Sequence, residues 1–209
     1  MAIEREIKFT VPDRTIFGKL AALESIAGYG IIDRGVRKQT DYYFDTPDNR
    51  LFHGKAVYRL RVINHKSVLT FKSHGKSAGT IYERIETEAE TTATPDEVCR
   101  GKLPVLPPAE AFRTAIGDLP LHVSMINDNH RHQILLTCNN IPHYEMVLDS
   151  VTFTGPHGTA QVYEIEVESL FDTDSDLGEI AAWFRKNYRL KHAGPSKYIM
   201  GMQLVGMVQ

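Results

Sequence analysis

Charge in this chain comes in short same-sign groups at alternate positions. Glu4 and Glu6 stand near the N-terminus with Lys8 next in the series; Arg59 and Arg61 follow, then Arg84, Glu86 and Glu88, and finally Glu164, Glu166 and Glu168. On a strand, side chains at i and i+2 leave the same face, about 7 Å apart. Like charges at that distance repel by about 0.6 kcal/mol in bulk water and by about 2.4 kcal/mol at an effective dielectric of 20. Such groups are harmless on a wet surface and costly in an enclosed one, unless counter-charges fill it. Paired carboxylates offer hard oxygen ligands to a divalent cation. Paired guanidinium groups match the oxygens of a phosphate or carboxylate. Together the two patterns predict a metal and polyphosphate site; the competing reading is the solvated face of an ordinary antiparallel sheet.

The elements that carry these residues read mainly as strands. Residues 3–10 form one, followed by a helix from Asp13 to about residue 27 with Ile16, Phe17, Leu20, Leu23 and Ile26 as its apolar stripe, stopped at Gly28 and Gly30. Strands are expected at 40–45, 56–63, 68–73 and 81–89, with a hairpin at Asn64-His65 and a flexible loop over 74–79. Five prolines between 94 and 121 break that stretch into short helical pieces. It is not read as a linker, because strands resume at 131–137, 144–154 and 162–170 with the same charged style. An amphipathic helix over 175–188 and a short one over 196–203 complete the chain.

Strand parity places Lys72 with Thr70, Arg131 with Gln133 and Asp149 with Val147, so the charged faces recur along the chain. The expected fold is α+β, one domain over 1–209, with about eight antiparallel strands in a sheet or barrel and flanking helices. In a closed barrel the charged face lines the lumen and the apolar face lies outside, under the helices.

Bulk properties narrow the function. With 209 residues, 42% hydrophobic and 24% charged, the composition is that of an ordinary globular protein. A formal charge of −2 gives neither a nucleic-acid footprint nor a polybasic membrane segment, so no nucleic-acid and no membrane partner is expected. Two cysteines, Cys99 and Cys138, fit neither a disulfide framework nor a zinc motif, and no signal peptide or spanning segment is visible; a cytoplasmic location is the expectation.

Taken in order, the motifs resemble the CYTH domain, or triphosphate tunnel metalloenzyme, family. They are Glu4-x-Glu6-x-Lys8, the run from Gln39 to Pro47 (QTDYYFDTP), Arg59-x-Arg61, Leu69-Thr-Phe-Lys72, Arg84-x-Glu86-x-Glu88, Arg131, Leu148-Asp149, Glu164-x-Glu166-x-Glu168 and Ser196-Lys197-Tyr198. The resemblance covers nearly the whole chain and implies an eight-stranded antiparallel β-barrel forming a tunnel. By it, Lys8, Arg59, Arg61, Lys72, Arg131 and Lys197 are phosphate ligands, with Arg84 a further one. Glu4, Glu6, Glu166 and Glu168 gather the metal, Mg2+ or Mn2+, with Glu86 and Asp149 in support; Glu164 with Glu166 remains the alternative pair, and Glu88 exchanges with Glu86. Glu4, Glu6, Lys8 and Lys197 are the expected catalytic residues. The implied activity is hydrolysis of a small-molecule triphosphate, inorganic triphosphate first. The alternatives are class IV adenylyl cyclase, thiamine triphosphatase and a non-catalytic polyphosphate-binding module. A homodimer is compatible with this reading, and the 196–203 helix is a natural plug for the tunnel.

Overall fold

The computed structural model describes residues 2–78, 81–102, 105–171, 176–192 and 196–206, with the side chains of 2–4, 74–78, 81–85 and 192 outside the description. Its elements are β1 (Ala2–Val11), α1 (Thr15–Ala21), β2 (Ser25–Ile26), β3 (Tyr29–Asp45), α2 (Arg50–His53), β4 (Val57–Ile63), β5 (Lys66–Ala78), β6 (Ile81–Thr91), α3 (Pro95–Cys99), α4 (Pro107–Ile116), β7 (His122–Cys138), β8 (Ile141–Gly155), β9 (Gly158–Ser169), α5 (Leu177–Tyr188), β10 (Lys191–His192) and α6 (Lys197–Leu204). The long strands pair in the order β1-β6-β5-β4-β3-β7-β8-β9, and β9 pairs back onto β1. All these pairings are antiparallel. β1 serves its two neighbours with separate halves: Ala2–Glu6 lie along β6 and Glu6–Val11 along β9. The sheet thereby curls into a barrel and leaves few strand edges open.

Alternation sorts the side chains. Ile7 and Phe9 of β1, Ile134 of β7, Leu148 of β8 and Ile165 of β9 point outward and pack with Leu20 of α1 and with Ile180 and Phe184 of α5, all of them fully or almost fully buried. A second outer patch, Phe44, Tyr58, Leu60 and Leu69, is covered by Val98 of α3 and Phe112 of α4. Tyr58 and Phe112 stack with ring centroids 4.6 Å apart. Each such buried side chain contributes about 1.5–3 kcal/mol of apolar transfer. The proline-rich stretch is therefore a lid on the outside of the barrel. Its first helix starts with a capping box, the Thr94 hydroxyl accepting from the Glu97 N–H and the Glu97 carboxylate accepting from the Thr94 N–H.

A third cluster lies inside. Tyr43, Val57, Met125, Val151 and Phe153 share the inward parity and meet Tyr198, Met202 and Val205 of the C-terminal segment. α6 thus stoppers the lumen with apolar side chains. Gly201 permits the approach: a Cβ there would come 2.3 Å from the Met125 sulfur and 2.8 Å from the Phe153 ring.

Several expected boundaries move. The first helix ends at Ala21, and the segment expected to continue it folds back as β2. Ile26 pairs with Tyr29 across a two-residue turn in which Ala27 and Gly28 have φ 51° and 88°, positive at both positions as a tight hairpin turn requires. Asp13 accepts from the Thr15 N–H at 2.8 Å, but Arg14 is the N-cap. β3 begins at Tyr29 instead of residue 40, carried through a bulge between Asp33 and Val36 where Gly35 has φ 80°. The stretch expected as a flexible loop continues β5 as far as Ala78, with a bulge between Ser73 and Gly75. Gly79 lies outside the described residues. No helix among the described residues is long and apolar enough to cross a membrane.

Candidate active site

The inward faces of the strands enclose a cavity of ≈ 220 Å³ lined by seven cationic and six carboxylate side chains. The cations are Lys8, Arg37, Arg59, Arg61, Lys72, Arg131 and Lys197; the acids are Glu6, Glu86, Glu88, Glu145, Glu166 and Glu168. Period-two alternation on long strands is what delivers them, because each contributing strand exposes every second residue to the lumen.

On one side the charges interlock. Lys8 on β1 places its Nζ 2.9 Å from both Glu6 and Glu166. Lys197 Nζ lies 2.9 Å from Asp149, 2.9 Å from Glu164 and 2.6 Å from Glu166. Arg131 grips Asp149 with both arms, Nε donating to Oδ1 at 2.8 Å and Nη2 to Oδ2 at 2.6 Å, and reaches Glu166 at 3.1 Å. The register explains the meeting: Arg131 faces Asp149, Asp149 faces Glu164, and Glu166 faces Lys8 across successive strand pairs. Lys197 enters from the first residue of α6. There the helix dipole disfavours a cation by about 0.3–1 kcal/mol, and the three carboxylates outweigh that cost. Burial alone would lower the Lys197 pKa, yet Asp149, Glu164 and Glu166 hold it well above the ordinary lysine value. Against the same burial, Lys197, Lys8 and Arg131 hold Glu166 well below the usual carboxylate range. These groups are charged at neutral pH.

On the opposite side arginines dominate. Arg61 donates to Asp41 from Nε at 2.7 Å and from Nη2 at 3.0 Å. Arg59 Nη1 approaches the same Asp41 at 3.7 Å, while its Nη2 donates to Thr70 at 3.1 Å and Glu88 at 3.2 Å. Lys72 Nζ lies 2.7 Å from Glu86. Asp41 is 1% exposed. Burial favours its neutral form, but Arg61 and Arg59 bring its pKa down to about 2. Tyr43 and Tyr198 stack at the apolar end with centroids 5.3 Å apart, and the Tyr198 hydroxyl donates to buried Asp45 at 2.6 Å. That carboxylate also accepts from the Leu51 and Phe52 N–H groups, so it ties α2 and α6 to the end of β3.

The structure brings together ten of the expected residues around one cavity: Glu6, Lys8, Arg59, Arg61, Lys72, Glu86, Arg131, Glu166, Glu168 and Lys197. Asp149 is placed differently from the metal-supporting role expected of it. It is fully buried behind the cavity wall, where it fixes Arg131 and Lys197. Glu164 sits at the same depth under Lys197. The side chains of Glu4 and Arg84 lie outside the described residues; their backbones face each other across the β1–β6 pair. Arg37, Asp41 and Glu145 were not expected. Arg37 lies on the part of β3 that was not read as strand, and Asp41 was masked by the aromatic run beside it. Glu145 could have been found by extending the Asp149 and Val147 series two residues back.

A divalent cation suits the donor set. Glu6 on β1 stands directly opposite Glu168 on β9, and Glu168 opposite Glu145 on β8. Like charges facing across strands destabilise a sheet, and an all-oxygen set with no sulfur or imidazole suits a hard divalent cation. Among the described residues no three His, Cys, Asp or Glu side chains are already gathered as a cage.

A closed antiparallel barrel with a polar, ionic chamber and a helical stopper defines the class of protein. The particular family follows from comparison: the CYTH domain profile matches residues 2–197, and the chain belongs to the CYTH domain family. Its fold is similar to that of a Hippeastrum protein described as a candidate adenylyl cyclase with a dominant triphosphatase activity, at 19% identity and a TM-score of 0.70, over 96% of this chain and 95% of that one. A candidate adenylate cyclase from Bacillus halodurans is similar at 17% identity and a TM-score of 0.68, covering 96% and 98%. A protein from Pyrococcus horikoshii is similar at 21% identity and a TM-score of 0.57, covering 94% and 98%. A search of curated proteins finds no match.

Proposed function

We propose that the protein hydrolyses a triphosphate with the help of Mg2+ or Mn2+, and that inorganic triphosphate is its substrate. The observation that carries this reading is the convergence of cations and carboxylates from many strands on one enclosed chamber. Cleaving a phosphoanhydride needs little covalent chemistry from the protein, because the transition state spreads negative charge over phosphoryl oxygens that must be held and neutralised. Arg59, Arg61, Lys72 and Arg131 are placed to hold those oxygens, in a water-poor site where each charge counts for more than in solvent. Lys197 stays protonated inside its carboxylate shell and, with Lys8 between Glu6 and Glu166, donates to the same anion. Asp149 and Glu164 keep Arg131 and Lys197 in place and act only through them. Glu6, Glu166 and Glu168, with Glu4, would hold the metal, whose charge neutralises phosphate oxygens and orients the chain of phosphates. The water oxygen bonds to a terminal phosphorus, the bridging P–O bond breaks, and orthophosphate and pyrophosphate leave.

Cavity size favours the inorganic substrate over a nucleotide. A chamber of ≈ 220 Å³ is smaller than the roughly 300–1,000 Å³ of sites for drug-sized organic ligands. Of the aromatic residues lining it, Tyr43 and Tyr198 already stack on each other. The second reading, cyclisation of ATP, has in its favour how two structural relatives are described. Incubation with inorganic triphosphate, ATP or thiamine triphosphate, with Mg2+ or Mn2+, separates the options. Orthophosphate from inorganic triphosphate supports the proposal. Cyclic AMP with pyrophosphate from ATP, and no turnover of inorganic triphosphate, replaces it with the cyclase reading.

A further inference from the structure

Arg37 stands apart from every other cation of the chamber. Lys8, Arg59, Arg61, Lys72, Arg131 and Lys197 each have a carboxylate within 4 Å. Among the described residues, Arg37 alone of the chamber cations has none, although it lines the same cavity. Its Nε is buried without a hydrogen-bond partner. It also faces a like charge, since Arg37 and Arg131 are directly opposed in the β3–β7 pair. Burial and the Arg131 charge lower the Arg37 pKa, with Glu145 and Asp149 offsetting this only in part, whereas Asp41 and other acids raise Arg59 against deeper burial. Two guanidinium groups facing each other across a sheet, one of them without a carboxylate, destabilise the fold by themselves. A bound anion between them removes that cost.

We propose that Arg37 is a substrate-binding and specificity-determining residue that takes the phosphate at the end of the substrate not being transferred. It selects a free terminal phosphate there over an esterified one. The inference rests on the triphosphate reading and deepens it. Inorganic triphosphate has terminal phosphoryl groups at both ends, whereas a nucleoside triphosphate replaces one with a less charged ester. An arginine with its charge unspent adds most to the substrate whose far end carries more charge, and its planar fork suits two phosphate oxygens. Arg37 is suitably placed to bridge the chamber, being two residues from Gln39 on the Arg61 side and opposed to Arg131 on the other.

The test compares wild type with Arg37→Gln and Arg37→Lys. It measures binding of inorganic triphosphate and of ATP by calorimetry, their turnover with Mg2+, and the melting temperature. Arg37→Gln is expected to weaken inorganic triphosphate binding and kcat/KM at least tenfold and to change ATP less than threefold. Arg37→Lys restores part of the loss, and without ligand the glutamine variant melts at or above wild type because the repulsion with Arg131 is gone. Equal losses on both ligands, unchanged binding of inorganic triphosphate, or a lowered melting temperature would each overturn the assignment. If wild type binds inorganic triphosphate but turns over nothing, the hydrolase reading fails while the binding arm still decides the role of Arg37.

Discussion

The two walls of the chamber use the same side chains to different ends. Along β1, β7, β8, β9 and α6, the side chains of Glu6, Lys8, Arg131, Asp149, Glu164, Glu166 and Lys197 are at most 11% exposed, and ions of opposite sign alternate in contact. Along β3 to β6, Asp41 is the deeply buried acid that meets the arginines, and the wall opens outward through Glu86 at 15% to Glu88 at 45% side-chain exposure. A buried charge stripped of its partner costs several kcal/mol, whereas a half-wet pair is worth little. The first wall therefore holds the site in shape. The second presents Arg59 and Lys72, whose more exposed partners Glu88 and Glu86 a phosphate can displace at smaller cost, beside an Arg61 anchored by buried Asp41.

This contrast is broken most sharply at Asp149. Replacing it with alanine leaves Arg131 and Lys197 buried without one of the two acids they share, and the expected loss is about 3–5 kcal/mol, read as a fall of about 10 °C in melting temperature. A fall within 2 °C would mean that the interlocked wall is not structural. On the other wall, Arg59→Ala is expected to cost about 100-fold in kcat/KM on inorganic triphosphate, about 2.7 kcal/mol. Its melting temperature should shift less than that of the Asp149 variant. Unchanged kinetics would remove Arg59 from the site.

The buried charge of Asp41 makes stability depend on pH. Its folded pKa of about 2 lies below the ordinary value of 3.8. The stability it contributes is thus complete above about pH 4 and is lost as pH falls through 2; by linkage it amounts to about 2 kcal/mol at neutral pH. Denaturation of wild type and Asp41→Asn at pH 7 and pH 3 should show their gap narrowing in acid, and a constant gap would contradict the assigned charge. The smallest effect is expected at Glu88. Glu88→Gln should change stability by less than about 1 kcal/mol and leave triphosphate binding equal or slightly tighter, because a competitor for Arg59 is gone. Weaker binding in that variant would show that Glu88 serves the ligand directly.

Much of this architecture was legible in strand parity. Arg59 and Arg61, or Glu166 and Glu168, must share a face wherever their strand lies, and the apolar residues between them assign the other face to a core. Depth was not legible. Asp149 and Glu166 look alike as inward acids, yet one lies behind the wall and the other lines the cavity, because the register of β8 against β7 aims Asp149 at Arg131. Bulges hid more: the irregularity between Asp33 and Val36 interrupts alternation, and with it went the signal that Arg37 is on an inward face. The hairpin at Ala27-Gly28 defeated a good helical stripe, since Ile26 is buried equally well from β2 as from the last turn of a helix.

Calorimetric titration of inorganic triphosphate with Mg2+ measures directly whether the opposed charges of the chamber accept a triphosphate. One site per chain is expected, with affinity that falls as salt rises and drops at least tenfold in Arg59→Ala. Absence of binding by wild type, or equal affinity in wild type and variant, would contradict that expectation.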